Sequence, residues 1–424
     1  MRNLIIYFSL IFFVSCFGTK DNRQNSASGV ALDGYLYLAT AFIDFDGDGI
    51  QDGDEPSGST DASGNFSISS NQNISNFRVV IKGVENVTID QDNPGTAITS
   101  AFTFLTPPGE FGVASPMTTE IVARMNDGLD KDAAIAAIKS DYGFADDVDI
   151  TKDYIAEKVT NSAYAQMHNI AAAITVVLQA VESSNSSATS LANKLRSMKT
   201  NIQGFVGSNV SVIKQASNPT QAVTRMKENS SFNVDIRLSQ FDVYLNEQVT
   251  VTSHAVSLDT LTSSDIAANK CSFDAFDVDN DATSGITEIS GSFTGGTATD
   301  ASTNSDGSVS YNVTFDTEGD YTIHCTIEHT DATIKTNSIT FSVSQPPVTS
   351  TASSSDGPYL SACYNQLGAA CAGDNCAAGS VSGSNSDGFT TQLSGSGYGI
   401  WCYDNQENSA ASLDLSISGL SNAR

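Results

Sequence analysis

A short acidic segment has the residue types and spacing of a calcium-binding loop. Asp44 to Glu55 reads DFDGDGIQDGDE and matches the pattern D-x-[DN]-x-[DN]-G-x5-E at every specified position. Ca²⁺ prefers six to eight oxygen ligands, which this spacing supplies from one loop, and Gly49 allows the sharp bend that it needs. The sequence therefore predicts Ca²⁺ as a cofactor; the alternative is a solvated Asp/Gly turn. The predicted ligands are Asp44, Asp46, Asp48, the carbonyl of Ile50, Asp52 and the bidentate Glu55.

A second acidic run, Asp277 to Asp281, follows the same pattern less closely. Glu288 stands at the final ligand position, but Ala282 replaces the bend glycine and Gly285 has no side chain to offer. Acidic turns of this kind also occur for solvation alone. Whether this run binds calcium therefore stays open.

The elements around the first loop are predicted to be strands, whereas an EF-hand requires helices. Short apolar stretches precede the loop at Ala41 to Ile43 and follow it at Asn65 to Ile68. With TDASGNF at positions 60–66, the segment Asp33 to Ile68 resembles the calcium-binding B-type modules of serine-aspartate repeat surface proteins and related carboxypeptidase-regulatory-like sandwiches. The resemblance implies a small β-sandwich over residues 30–95, in which calcium stiffens a stalk.

Helical periodicity follows over residues 96–229. Ser115 and Pro116 predict a helix start, and Asp130 and Gly143 predict the two ends of a second helix. The segment SPMTT at 115–119 also resembles one that often follows such calcium modules in large exported bacterial proteins. A longer helix from about residue 161 carries an apolar stripe that must pack on a partner, so a helical domain is expected. The stripe consists of Tyr164, Met167, Ala171, Ile174, Leu178 and Val181.

Alternating β patterns return over residues 234–344 and predict an immunoglobulin-like sandwich. Cys271 and Cys325 stand where a bridge between its two sheets could form. The likeness extends only to the broad fold, since a central Trp is lacking and Tyr321 lies four residues before Cys325. The expected fold class is multidomain and mainly β: a calcium-loop sandwich, a helical bundle, this sandwich and a disulfide-bonded C-terminal module.

The last part of the chain is a Pro/Ser/Thr linker over residues 345–357 and a Cys-rich module over residues 358–424. Two disulfides are expected to stabilise so small a module. The disulfide candidates of the whole chain are Cys271, Cys325, Cys363, Cys371, Cys376 and Cys402, whose pairing the sequence leaves open. Tyr398, Trp401 and Tyr403 form either a platform for a glycan or protein ligand, or the core of this module.

The N-terminal residues predict export and a lipid anchor. Arg2 and the apolar run Leu4 to Val14 are typical of a signal peptide over residues 1–15, too short to span a bilayer. The sequence Phe-Val-Ser before Cys16 resembles a lipobox, which implies lipidation of Cys16. Small polar residues predict a flexible tether over residues 16–29. The expected location is the outer membrane or cell surface, with the lipid as the contact to the membrane.

The net charge and the lack of common catalytic motifs limit the classes of function that the sequence favours. A net charge of −28 argues against nucleic-acid partners, which require basic patches. The sequence has none of the common hydrolase, zinc-protease, phosphate-loop or dinucleotide signatures, so an enzyme is not expected. His168, beside the apolar stripe, is interpreted as hydrogen-bonded or solvated. The leading hypothesis is a structural or adhesive surface lipoprotein with a calcium-stabilised stalk that contacts a surface protein or glycan. The alternative is a lipoprotein that captures glycans or nutrients with its C-terminal aromatic residues.

Overall fold

The computed structural model describes residues 25–184, 190–240, 242–259, 261–276, 282–288, 291–293, 295–299 and 302–345. The chain divides into two compact units, residues 1–342 and 343–424, and the features below belong to the first unit except where strand β20 runs past Ser342. Several sequence predictions lie outside the described residues. These are the signal peptide, Cys16, residues 16–24 of the tether, the acidic run 277–281, residues 346–357 of the linker, the module 358–424, Cys363, Cys371, Cys376, Cys402, Tyr398, Trp401 and Tyr403.

The described part is mainly β, with several sheets, a group of helices and a disulfide. Among its helices, none has the length and apolar character needed to cross a membrane.

The N-terminal strands form three sheets. Their orders are β4-β3-β6-β8, β5-β1-β9 and β2-β7, and all pairs are antiparallel except β1 with β9. The strands are β1 (Ser26–Ala31), β2 (Leu36–Tyr37), β3 (Thr40–Asp44), β4 (Ser57–Ser59), β5 (Asn65–Ser69), β6 (Arg78–Gly83), β7 (Ile89–Asp90), β8 (Phe102–Leu105) and β9 (Val113–Ala114).

Three of these strands depart from the sequence predictions. Strand β1 begins at Ser26, inside the expected tether, because Ala27 is buried and the strand pairs with β5. Strands β8 and β9 lie in the range that was expected to be helical. All four residues of β8 are buried, so the strand lacks the period-two alternation that marks a half-exposed strand. The β part of the fold therefore extends to Ala114.

Seven α-helices follow among the described residues, and the predicted ends of the first two are confirmed. Ser115 caps α1 and forms a capping box with Thr118, while Asp130 caps α2 and Gly143 ends it with a left-handed φ of 60°. The helices are α1 (Pro116–Asn126), α2 (Lys131–Tyr142), α3 (Tyr154–Glu157), α4 (Ser162–Ser184), α5 (Leu191–Phe205), α6 (Val210–Lys214) and α7 (Pro219–Asn229), with a 3₁₀ turn at Gly207–Asn209.

The apolar stripe of α4 is buried along its whole length, as predicted. It belongs to one continuous core that runs from Ala27 to Leu258 and contains residues of β1, β3, β6 and β8 together with residues of α1 to α7. The N-terminal strands and the helices thus bury their apolar faces against each other. Because burial of apolar area is the main favourable term in folding, these two parts depend on one another for stability.

Two further sheets are built from the remaining strands. One has the order β10-β12-β18-β16-β15, with β17 also on β18, and the other has the order β11-β20-β19-β13-β14. Phe315 of the first sheet contacts Tyr321 and Phe341 of the second, with ring centroids 4.5 and 5.5 Å apart. The strands are β10 (Phe232–Leu238), β11 (Val243–Tyr244), β12 (Gln248–Ser257), β13 (Ile266–Phe276), β14 (Ala282–Glu288), β15 (Gly291–Phe293), β16 (Gly296–Ala298), β17 (Ser302–Thr303), β18 (Val309–Phe315), β19 (Gly319–His329) and β20 (Ile334–Ser344).

Cys271 and Cys325 form a disulfide, but it does not join the two sheets as the sequence led us to expect. The two cysteines are directly opposite each other in the neighbouring strands β13 and β19 of one sheet, with Cα atoms 4.0 Å apart. The position of a cysteine on a strand can be inferred from sequence, whereas the partner strand depends on sheet order. The bridge therefore fixes the register of two paired strands.

Candidate metal centre

The acidic loop connects strands β3 and β4. Phe42 and Ile43 of β3 are fully buried, which fixes the point at which the chain leaves the sheet at Asp44. The chain returns at Pro56, whose carbonyl accepts a hydrogen bond of 3.1 Å from the Ile43 amide. The loop is thus closed at its base by strand pairing, in a β setting as the sequence predicted.

Three of the predicted ligands converge. One carboxylate oxygen from each of Asp44, Asp46 and Asp48 lies within 4.8 Å of those of the other two. Each carboxylate also accepts a backbone N–H through Oδ1, over 2.8, 3.1 and 2.6 Å respectively. These bonds shape the loop. Such a group of oxygens is suited to a hard divalent cation.

Glu55 and the other two predicted ligands are placed differently. Glu55 is buried, and its two carboxylate oxygens accept hydrogen bonds from the Phe45 amide over 2.6 Å and from the Asp52 amide over 3.0 Å. The carboxylates of Asp52 and Glu55 lie outside the close group of three carboxylates. In this structure Glu55 therefore closes the loop through its own backbone.

Burial shapes the electrostatics of the loop. Burial raises the pKa of Asp44, against the opposing effects of the Gly47 amide and the Arg78 guanidinium. Oδ2 of Asp44 is buried without a hydrogen-bond partner, and Nε of Arg78 lies 3.8 Å from it. Burial also raises the pKa of Glu55. A cation at this loop would compensate a buried oxygen that the protein itself leaves unsatisfied.

Two glycines give the loop its bends. Gly47 and Gly49 have φ of 83° and 72°, in the left-handed region that side chains disfavour. Gly49 is also buried, and a Cβ atom there would lie 3.2 Å from Cδ1 of Leu191, the first residue of α5. The loop therefore packs directly on the helical part of the molecule.

The TDASGNF segment after the loop forms a tight turn. Oδ1 of Asp61 accepts the amides of Ser63 at 2.8 Å and Asn65 at 2.9 Å, and Gly64 has a φ of 75°. The turn leads into β5, where Phe66 and Ile68 point into the core. The spacing of the motif thus has a local structural cause.

A second group of carboxylates was missed by the sequence analysis. Asp33 is buried, its Oδ1 has no hydrogen-bond partner, and burial and the charge of Asp90 raise its pKa well above the usual value. Burial raises the pKa of Asp90 to about 6, and the neighbouring charge of Asp92 adds to the effect. Gly34 allows this packing, because a Cβ atom there would lie 2.2 Å from Oδ1 of Asp90. Asp33 follows β1, whereas Asp90 ends β7 and Asp92 lies in the turn after it, so no motif spacing reveals the group.

Side chains of the helical part compensate this second group. Nε2 of His168 lies 2.6 Å from Oδ2 of Asp92, and Nδ1 of His168 lies 2.9 Å from Nζ of Lys158. If Lys158 donates to Nδ1, the imidazole proton sits on Nε2 and faces Asp92. His168 is thus a buried, partnered histidine, in agreement with its interpretation from sequence.

Comparison with known proteins adds no family: no family model matches the chain, and no curated protein is detectably similar to it. The resemblance to B-type calcium modules therefore rests on the loop and the turn that follows it.

Proposed function

We propose that the chain is a calcium-stabilised structural protein that is displayed outside the cytoplasm. The observation that carries the proposal is the convergence of Asp44, Asp46 and Asp48, together with the unsatisfied buried oxygen of Asp44. Ca²⁺ at this loop would be held by these aspartates, with Asp52, Glu55 and the Ile50 carbonyl as further ligands. The ion would compensate three negative charges that repel one another without it.

The role of the ion in this proposal is structural. The loop contacts α5 through Gly49 and Leu191, and its supporting strand β3 belongs to the core shared with the helices. An ion that fixes the loop would therefore also stabilise the packing of the N-terminal strands against the helices. The supporting lines are the B-type module resemblance, the two-sheet arrangement of strands β10 to β20, which suits an immunoglobulin-like domain, and the predicted lipid anchor at Cys16. Together they favour a stalk with an adhesive or display role at the cell surface.

Calcium binding is tested by titrating the calcium-free full chain calorimetrically. We expect one site with a Kd between about 10⁻⁴ and 10⁻³ M, the range of extracellular modules. Asp48→Asn should abolish the binding heat, because it removes one of the three converging charges. Asp54→Asn is the matched control, since Asp54 is an exposed loop carboxylate outside the predicted ligand set. An unchanged isotherm for Asp48→Asn, or no binding heat at millimolar Ca²⁺, would refute the site.

Surface display needs a separate test in cells. Labelling with a fatty-acid probe should mark the wild-type protein and leave Cys16→Ala unlabelled, and protease treatment of intact cells should cleave the wild-type protein. Labelling that persists in Cys16→Ala would refute the anchor, and full protection from external protease would refute display.

A further inference from the structure

A polar cleft of about 950 Å³ lies between helix α5 and strand β20. One wall is the face of α5 that carries Arg196, Lys199, Thr200 and Gln203, and the opposite wall is β20 from Lys335 to Thr340. Each of these α5 residues lies three or four positions from two of the others, so they share one helix face. The volume falls within the range of small-molecule sites.

Contacts between separate elements hold the walls of this cleft in place. Gly204 lets α5 approach β10 closely, because a Cβ atom there would lie 2.3 Å from Nδ2 of Asn233. That amide donates to Oδ1 of Asn201 over 3.2 Å. On the opposite wall, Nδ2 of Asn337 donates to the carbonyl of Val234 over 2.7 Å, which ties β20 to β10. The cleft is therefore a built feature of the fold.

The charge of the cleft runs against that of the whole chain. The chain has 20 Lys and Arg residues against 48 Asp and Glu residues, yet the described residues that line the cleft include Arg196, Lys199 and Lys335 and a single acidic residue, Asp127. Asp127 forms an ion pair with Lys199, and Lys335 has no ion-pair partner in the described part of the chain. The cleft thus keeps an excess of positive charge. At physiological salt the Debye length is about 8 Å, so this local charge dominates over distant acidic residues for a ligand inside the cleft.

The remaining lining determines the kind of anion. It offers amide and hydroxyl groups, as at Asn126, Thr200, Gln203 and Ser338, and none of the described residues that line the cleft is aromatic. A ligand is therefore recognised through charge and hydrogen bonds, without ring stacking. We propose that this cleft binds an anionic oligosaccharide, whose acidic groups pair with Arg196 and Lys335 and whose hydroxyls bond with the amide and hydroxyl side chains.

The test is calorimetric titration of the full chain in EDTA, so that calcium at the acidic loop plays no part. The probes are a galacturonate tetrasaccharide, which carries carboxylates, a heparin-derived tetrasaccharide, which carries sulfates, and neutral maltotetraose. We expect at least one of the two acidic probes to bind, and binding to weaken as salt rises. Maltotetraose should not bind. Arg196→Gln and Lys335→Gln should each weaken binding about tenfold, since each removes a charge-assisted hydrogen bond.

Two further variants keep this test decisive. Gln203→Glu adds a negative charge at an exposed position of the same wall and should weaken binding without affecting the fold. Lys152→Gln removes an exposed lysine that does not line the cleft and should leave the Kd unchanged. The proposal is overturned if neither acidic probe binds at millimolar concentration, if maltotetraose binds equally well, or if Lys335→Gln and Gln203→Glu both leave the Kd unaltered.

Discussion

Two clusters of aspartates in this protein differ in how the repulsion between their negative charges is reduced. At the acidic loop, Asp44, Asp46 and Asp48 converge with solvent on one side and leave a buried oxygen unsatisfied. At the second group, the carboxylates of Asp33, Asp90 and Asp92 lie where strands meet helix α4, with His168 beside Asp92. The first group suits an exchangeable ion, whereas the second is compensated by protons and by residues of the fold itself. Similar chemical groups therefore predict sensitivity to calcium at one place and to pH at the other.

The largest expected effect concerns the pH response of the second group. The pKa of Asp90 is raised from 3.8 to about 6 in the folded protein, so the folded state holds this proton more tightly than the unfolded chain. The stabilisation that comes from this tighter proton binding is fully present below pH 4, and it is lost as the pH rises towards and through about 6. The free energy of unfolding is expected to fall by up to about 3 kcal/mol over this pH range. Asp90→Asn cannot ionise, so it should gain stability relative to wild type over this range in calcium-free denaturant titrations.

Asp54→Asn serves as the control for this pH experiment, because Asp54 is exposed on the acidic loop. Its stability should track that of the wild type from pH 4 to pH 7. Equal pH profiles for Asp90→Asn and the wild type would show that the second group does not titrate as the comparison requires.

Calcium should act on the loop alone. At a free concentration of one hundred times Kd, an ion that binds only the folded state raises the free energy of unfolding by about 2.7 kcal/mol. We expect this gain in the wild type and, undiminished, in Asp90→Asn, and we expect Asp48→Asn to lose it. Denaturant titrations with and without Ca²⁺ measure the difference. A reduced gain in Asp90→Asn would mean that the two groups are coupled.

The replacement His168→Gln tests how much a side chain of helix α4 contributes to the second group of carboxylates. It removes the imidazole that faces Asp92 and that packs beside Tyr154, with ring centroids 5.7 Å apart. Loss of a buried polar partner costs about 1–3 kcal/mol. The free energy of unfolding should fall by this amount at pH 7, while the calcium Kd stays that of the wild type. A change in Kd without a change in stability would contradict this assignment.

The smallest expected effect comes from the bend of the loop. Gly49→Ala places a side chain at a φ of 72° and against Leu191, which should cost about 1–2 kcal/mol and weaken calcium binding. Gly53→Ala is the matched control, because a Cβ atom there meets nothing within 4 Å and its φ is not in the left-handed region. Similar melting temperatures and calcium affinities for the two variants would contradict the structural role assigned to Gly49.

The same contrast explains how much of the molecule could be predicted from sequence. Local patterns predicted the ends of α1 and α2, the buried stripe of α4 and the convergence at the loop, because each depends on neighbours within a few residues. Asp92 and His168 come together only through the packing of distant elements, so no spacing could reveal them. Strand β8 lacked a signal because all of it is buried. Cys271 and Cys325 were disulfide candidates whose pairing the sequence left open, and their position within one sheet depends on strand order.

The disulfide also has a mechanical consequence for a protein that is pulled along its chain. Cys271 and Cys325 are 54 residues apart in sequence, and their bond closes the chain between them into a loop. A force applied outside this loop passes through the sulfur atoms, so the enclosed residues cannot be drawn out. At about 3.4 Å per residue, the bond hides roughly 180 Å of contour length from the load. Reduction would release this length and turn a short, stiff element into an extensible one.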